Sequence, residues 1–304
     1  MTRMTPSLTT RPDTDLTTAE RRALTQLRTP AGQFAVIAAD HGDPLVEMLD
    51  GLGLPSTPDA QRAFKLDLVE TVGRDASAVL LDPDVSLPAV VDDGVLARDV
   101  GLLVRIEADG ADVIDGLRRS RLIDGLGAAG ARALGATAAK VMVFLRADRE
   151  DLDGATAQLV RAALADCSEA GLLCVIELMT YRLDDETPEA FAARKPDLVR
   201  EGAVLLQECG SQVLKLEYPG STEECARVTD ALDVPWAVLS AGVDHRAFCD
   251  QLRSAMDGGA NGFIAGRSLW KESVGLPGPE RRRFLEDTGR RRMAEMLAIL
   301  QAAA

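Results

Sequence analysis

Eight short apolar runs recur along the chain, at residues 34–39, 76–81, 101–106, 138–145, 172–176, 212–218, 236–239 and 263–265. Each stops at a polar residue, a glycine or a proline, and most are separated by a stretch whose apolar residues are spaced as on a helix. Strands buried on both faces need such near-continuous apolar character, and that is the mark of a parallel sheet. Strands that alternate with helices form βα units, and eight units close the sheet. The expected fold is α/β, a single (β/α)8 TIM barrel over residues 17–304 behind a loose polar tail at 1–16. An open doubly wound sheet is the alternative, but no Gly-x-Gly-x-x-Gly follows the first run. Helices are expected at 19–27, capped by Thr17 or Thr18, and at 58–73, 120–134, 153–171, 188–209, 221–232, 245–257 and 279–304.

The run at 212–218 carries the most unusual residue. Side chains alternate along a strand, so Val213, Lys215 and Glu217 share one face and Leu214 and Leu216 the other. A lysine in an apolar strand is costly to bury unless it is paired or has lost its proton. Only five of the 34 basic residues are lysines, and two of the five, Lys140 and Lys215, lie in apolar strand-like runs. A desolvated lysine beside another cation can act as an amine nucleophile toward a carbonyl. A structural ion pair is the alternative role.

In a barrel of this kind the working face lies at the carboxyl ends of the strands. Asp40, Asp82, Glu107, Glu177, Lys215 with Glu217, Ser240 and Arg267 fall on or just after those ends, while Lys140 lies early in its strand. Asp82, before Pro83, reads as a turn residue. Ser240-Ala241-Gly242 and Gly266-Arg267-Ser268 follow the last two runs. There backbone N–H groups close to a glycine, together with an arginine, can hold a phosphate.

Composition narrows the function. A net charge of −14 opposes a nucleic-acid surface, which needs clustered Lys and Arg. No apolar run reaches the length of a membrane span, and the first residues lack a signal-peptide core. The five cysteines lack C-x-x-C spacing and suit reduced thiols in the cytoplasm.

These residues sit in segments that resemble the tagatose-1,6-bisphosphate aldolase family of class I aldolases, to which the sulfofructose-phosphate aldolases are related. The matching segments are Ser77–Pro83, Gly101–Leu103, Ala139–Val141, Ile176–Tyr181, Val213–Glu217, Leu239–Val243 and Gly266–Trp270, in the family's order. The resemblance implies that Lys215 forms an imine with the ketose carbonyl, that Glu177 is the acid/base and that Lys140 is the neighbouring cation. It also implies that Ser240, Gly242, Gly266 and Arg267 hold a phosphate and that Asp40 meets substrate hydroxyls. The implied reaction is metal-independent cleavage of a phosphorylated or sulfonated ketose into a dihydroxyacetone-phosphate-type ketone and an aldehyde. No cofactor and no metal are expected. The expected partner is a small sugar phosphate, with homo-oligomer formation compatible.

One position departs from the family. Asp40-His41-Gly42 stands where the family has Asp-Gln-Arg. Gly42 removes a cation that could meet the far anionic group of the substrate, so the aldehyde half is expected to differ, with His41 either serving it or held as a loop residue. Two rival functions are a metal-dependent aldolase and a catalytically idle barrel that binds sugar phosphates as a regulator. The first would want several His ligands, and only His41 and His245 exist.

Overall fold

A computed structural model describes residues 16–303 of the chain. It contains ten strands: β1 (Phe34–Ala38), β2 (Ala78–Leu81), β3 (Gly101–Arg105), β4 (Asp112–Ile114), β5 (Leu117–Arg119), β6 (Ala138–Phe144), β7 (Leu173–Met179), β8 (Val213–Leu216), β9 (Trp236–Val238) and β10 (Gly262–Ala265). All but β4 and β5 form a closed barrel in the order β1-β10-β9-β8-β7-β6-β3-β2. Every pairing in it is parallel. The expected (β/α)8 barrel is therefore the fold, and the eight apolar runs are its eight strands. Residues 1–15, most of the expected tail, lie outside the described residues.

Strand parity divides the interior into two buried clusters. Val36, Ala38, Leu80, Leu103, Ala138, Val175 and Val213 point into the barrel, while Ile37, Val79, Leu102, Val141, Ile176 and Leu214 point outward beneath the helices. Burying one such Leu, Ile or Val side chain contributes roughly 1.5–3 kcal/mol. The first helix, Thr18–Gln26, opens with a Thr17/Glu20 capping box and closes the amino end of the barrel with Leu24 and Leu27. Gln212 donates to Glu20 at 2.9 Å and Ser77 to the Leu27 carbonyl at 2.7 Å, which pins the plug. With that end sealed by apolar residues, polar chemistry is confined to the other end.

The helical expectations hold with two corrections. The helix expected at 120–134 is only Gly127–Ala133. Gly125 and Gly127 take φ of 74° and 55°, a left-handed backbone that a helix cannot pass through, and Leu122 instead bridges Glu107. The expected single C-terminal helix consists of Gly278–Phe284, a π turn at Leu285–Gly289 and Arg290–Ala302. The helix Asp43–Gly51, the short helices Ala89–Asp92 and Arg267–Trp270 and the β4–β5 hairpin were not expected. Among the described residues no helix is long and apolar enough to cross a membrane. All five cysteines are buried free thiols.

Candidate active site

The inward parity that places Ala38, Leu103, Ala138, Val175 and Val213 in the barrel continues two or four residues later to Asp40, Arg105, Glu107, Lys140, Glu177 and Lys215. The lower interior is aliphatic and the upper interior charged, and all six of these residues are buried. Lys140 starts two residues below the level of Glu177 and Lys215, since β6 pairs it with Val175 and pairs Met142 with Glu177, which β8 pairs with Lys215. Its four-carbon stem spans the difference. Lys140 Nζ contacts Glu107, Asp40 Oδ2 at 2.8 Å and Glu177 Oε2 at 3.0 Å. Lys215 Nζ lies 2.8 Å from the same Glu177 oxygen, so one carboxylate oxygen bridges the two lysines.

One ammonium among three buried carboxylates cannot keep all three ionised. Burial raises the pKa of Asp40 and of Glu177, but Lys140 and then Lys215 more than offset it, so both lie below their ordinary values. Glu107 is the loser. Burial, reinforced by the Asp40 charge, outweighs Lys140 and holds its carboxyl up at about 7. Burial lowers the pKa of Lys140, yet Asp40, Glu107 and Glu177 together raise it well above the ordinary value, so Lys140 is the fixed positive charge beside Lys215.

Glu107 thus carries a stability consequence with a definite sign. Between its unfolded value, about 4.3, and about 7, the native chain binds this proton and the unfolded chain does not. Stability from this group is present at the acid side and falls as pH rises through the window. The unfolding free energy of the wild type minus that of Glu107→Gln should decline by on the order of 1 kcal/mol per pH unit between pH 5 and 7, then level off. Chemical denaturation at stepped pH checks this, and a difference that stays flat or rises contradicts it.

A second group gathers at the ends of β1, β9 and β10. Arg267 begins the short helix Arg267–Trp270 after β10, and its guanidinium lies over Gly242, where a Cβ would sit 3.2 Å from Cζ. Gly266 has no space for a side chain, since a Cβ would lie 2.2 Å from the Ala38 carbonyl oxygen. Lys271 donates to the Gly242 carbonyl at 2.9 Å, which ties the loop after β9 to the segment after β10. Ser240 is buried at the start of that loop and its carbonyl accepts from Val243 at 3.1 Å.

His41 lies between the two groups. Burial lowers its pKa first; Asp40 pulls it up and Arg267 and Lys215 push it down, leaving it at about 4 and the ring neutral at pH 7. Its edge packs on Trp270, with centroids 5.2 Å apart and the rings at 84°. Nδ1 makes no hydrogen bond within the chain and lies 3.8 Å from Asp40 Oδ1.

The structure thus brings Lys140, Glu177, Lys215 and Asp40 into one cluster, and Gly242, Gly266 and Arg267 into another, with Ser240 on the same loop as Gly242. Asp82 is a turn residue, as expected: it accepts from the Val85 and Ser86 amides at 2.6 and 3.2 Å and pairs with Lys65. Sequence reasoning passed over Arg105, which is buried in the same interior, although Arg105 and Glu107 alternate across the end of β3 as Lys215 and Glu217 do across the end of β8. Of the groups that could hold a metal, the described residues offer His245, Cys249 and Glu295, with ligand atoms within 4.8 Å of one another. They lie on the outer helices and share no residue with the lysine–carboxylate cluster.

Comparison with known proteins finds relatives over most of the chain. Tagatose 1,6-diphosphate aldolase 2 of Enterococcus faecalis (strain ATCC 700802 / V583) is 28% identical over 290 residues, covering 85% of each chain. Tagatose 1,6-diphosphate aldolase of Lactococcus lactis subsp. lactis is 26% identical over 288 residues, 85% of this chain and 87% of that one. Two solved structures share the barrel. An archaeal fructose 1,6-bisphosphate aldolase superposes with a TM-score of 0.65 at 16% identity, over 92% of this chain and 98% of its own. A Schiff base forming fructose-1,6-bisphosphate aldolase gives 0.63 at 14% identity, over the same 92% and 98%. The DeoC/LacD family aldolase model matches residues 59–272, a span that runs from the helix before β2 to just past β10 and takes in both lysines, Glu177 and Arg267. The chain belongs to the DeoC/LacD family and is an aldolase.

Proposed function

We propose that this aldolase works through an imine on Lys215 and cleaves a ketose phosphorylated at C1 into a dihydroxyacetone-phosphate-type ketone and an aldehyde. The observation that carries the proposal is the shared Glu177 oxygen. A nucleophilic amine must be free of its extra proton, and Glu177 stands within proton-transfer distance of Lys215 while Lys140 supplies a permanent positive charge beside both. The tagatose-diphosphate aldolase relatives and the Schiff-base aldolase that shares the fold support the same chemistry.

The neutral Lys215 amine attacks the C2 carbonyl to give a carbinolamine. Glu177, holding the proton that Lys215 gave up on becoming neutral, protonates the departing hydroxyl as water leaves and the iminium forms. The resulting carboxylate takes the proton of the C4 hydroxyl, the C4–O bond becomes the aldehyde carbonyl, and the C3–C4 bonding pair moves into the iminium to give an enamine. Protonation at C3 and hydrolysis release the ketone and restore the lysine. Asp40 is assigned to the sugar hydroxyls. Ser240, Gly242, Gly266 and Arg267 are assigned to the C1 phosphate, for which a guanidinium over a glycine loop is suited.

Turnover should therefore survive exhaustive chelation. Ketohexose 1-phosphates and 1,6-bisphosphates are incubated with the enzyme in excess EDTA while dihydroxyacetone phosphate is read by a coupled reductase. An unchanged rate is expected. Loss of the rate with recovery on adding a divalent metal would instead favour metal-assisted cleavage.

A further inference from the structure

Arg105 points into the barrel in register with Lys140, is 6% exposed, and has no task in the imine chemistry. Its guanidinium pairs with Asp109, and its Nε makes no hydrogen bond within the chain. Serving as counter-charge to the carboxylates of the site does not explain this arrangement, because Lys140 already contacts both Asp40 and Glu107. Asp109 is also an odd partner for a structural pair. Its side chain is 30% exposed while that of Arg105 is 7% exposed, so the pair has a solvated lid and a buried base.

Asp109 lies against the residue at which the sequence departs from the resembled family. A Cβ on residue 42 would stand 2.2 Å from Asp109 Oδ2, so the carboxylate occupies space that exists only because residue 42 is glycine. In the resembled family that residue is arginine. This chain has glycine after β1 and carries a buried cation on β3, two strands along the barrel. The Asp109 carboxylate beside Gly42 masks the Arg105 guanidinium. A guanidinium whose Nε is unpartnered can bind a tetrahedral anion bidentately once its counter-ion moves, and a carboxylate that is 30% exposed beside a glycine can give way to one.

Resting on the assignment of C1 phosphate to Arg267 and C2 to Lys215, which directs the aldehyde half toward β1–β3, we infer that Arg105 is the receptor for an anionic group, phosphate or sulfonate, at the far end of the ketose. Asp109 is its resting counter-ion, which the ligand displaces. Arg105 is thus a specificity determinant for this same site.

The test uses hexitols, which have no carbonyl and cannot form an imine, so it is independent of the proposed chemistry. Isothermal titration of the full chain with hexitol 1-phosphate, hexitol 1,6-bisphosphate and 6-deoxy-6-sulfohexitol 1-phosphate compares a neutral, a phosphate and a sulfonate far end. The wild type should bind at least one of the doubly anionic ligands about tenfold or more tighter than the 1-phosphate, and the tighter of the two names the anion. Arg105→Gln should abolish that preference with 1-phosphate binding within about threefold of wild type. Asp109→Asn, whose fold is checked by circular dichroism and a thermal scan, should strengthen binding of the doubly anionic ligand several-fold. A wild type without preference overturns the inference. Equal losses on all three ligands in Arg105→Gln, with Asp109→Asn unchanged, also overturn it. Lack of imine trapping together with an intact preference would sink the Schiff-base mechanism alone.

Discussion

Lys215→Met should lower turnover to the uncatalysed level and leave the barrel folded. Methionine matches the unbranched reach of the lysine stem and brings no charge into a position that is 5% exposed. Glu177 loses one of its two lysine contacts but keeps Lys140 at 3.0 Å, so no carboxylate is left unpaired. The expected fall in kcat is several orders of magnitude, because covalent catalysis through the imine is removed outright. The melting temperature should move by only a few degrees. A structural ion pair predicts the opposite split, with activity retained and stability lost. Steady-state kinetics and a thermal scan on the same preparation separate the two.

Lys140→Met should fail differently. Three buried carboxylates converge on this ammonium, and removing one partner of a buried ion pair costs about 3–5 kcal/mol because the remaining charge is left uncompensated. The loss should depend on pH. In the wild type Asp40 and Glu177 lie below their ordinary pKa values through Lys140 and Lys215, so their contribution is present at neutral pH and disappears as pH falls through those lowered values. In the variant the carboxylates are driven to bind protons, so its stability falls as pH rises. The stability gap between the two proteins should therefore be wider at pH 8 than at pH 5, as read by urea denaturation at both. A gap below about 1 kcal/mol, or one that is equal at the two pH values, contradicts the cluster described above.

Much of this was legible in the sequence, for a physical reason. Parallel barrel strands are buried on both faces, so each of the eight stands out as an apolar run, and a charged residue in such a run is conspicuous. That contrast marked Lys140, Glu177 and Lys215. The β4–β5 hairpin gave no such contrast, since Val113 and Ile114 are 70% and 53% exposed. Its signal was the turn instead, Asp115-Gly116 with φ of 53° and 74°, flanked by Ile114 and Leu117. Asp43–Gly51 was likewise marked by a proline in its first turn and by Leu45 and Leu49 at helical spacing. Arg105 was hidden by its place one residue before the end of the run at 101–106 and two before Glu107, where it reads as part of the polar strand end. Its link to Gly42 through Asp109 joins segments more than sixty residues apart in the chain, and no local pattern carries it. The convergence of three carboxylates on Lys140 belongs to the same class, since it depends on how far a long side chain climbs inside the barrel.

The most direct test of the account is reduction with sodium borohydride during turnover of a ketose 1-phosphate, followed by intact mass and peptide mapping. The account predicts a single stoichiometric adduct on the peptide containing Lys215, absent from Lys215→Met. An enzyme that turns over its ketose with no trapped mass, or with the adduct on Lys140, would contradict it.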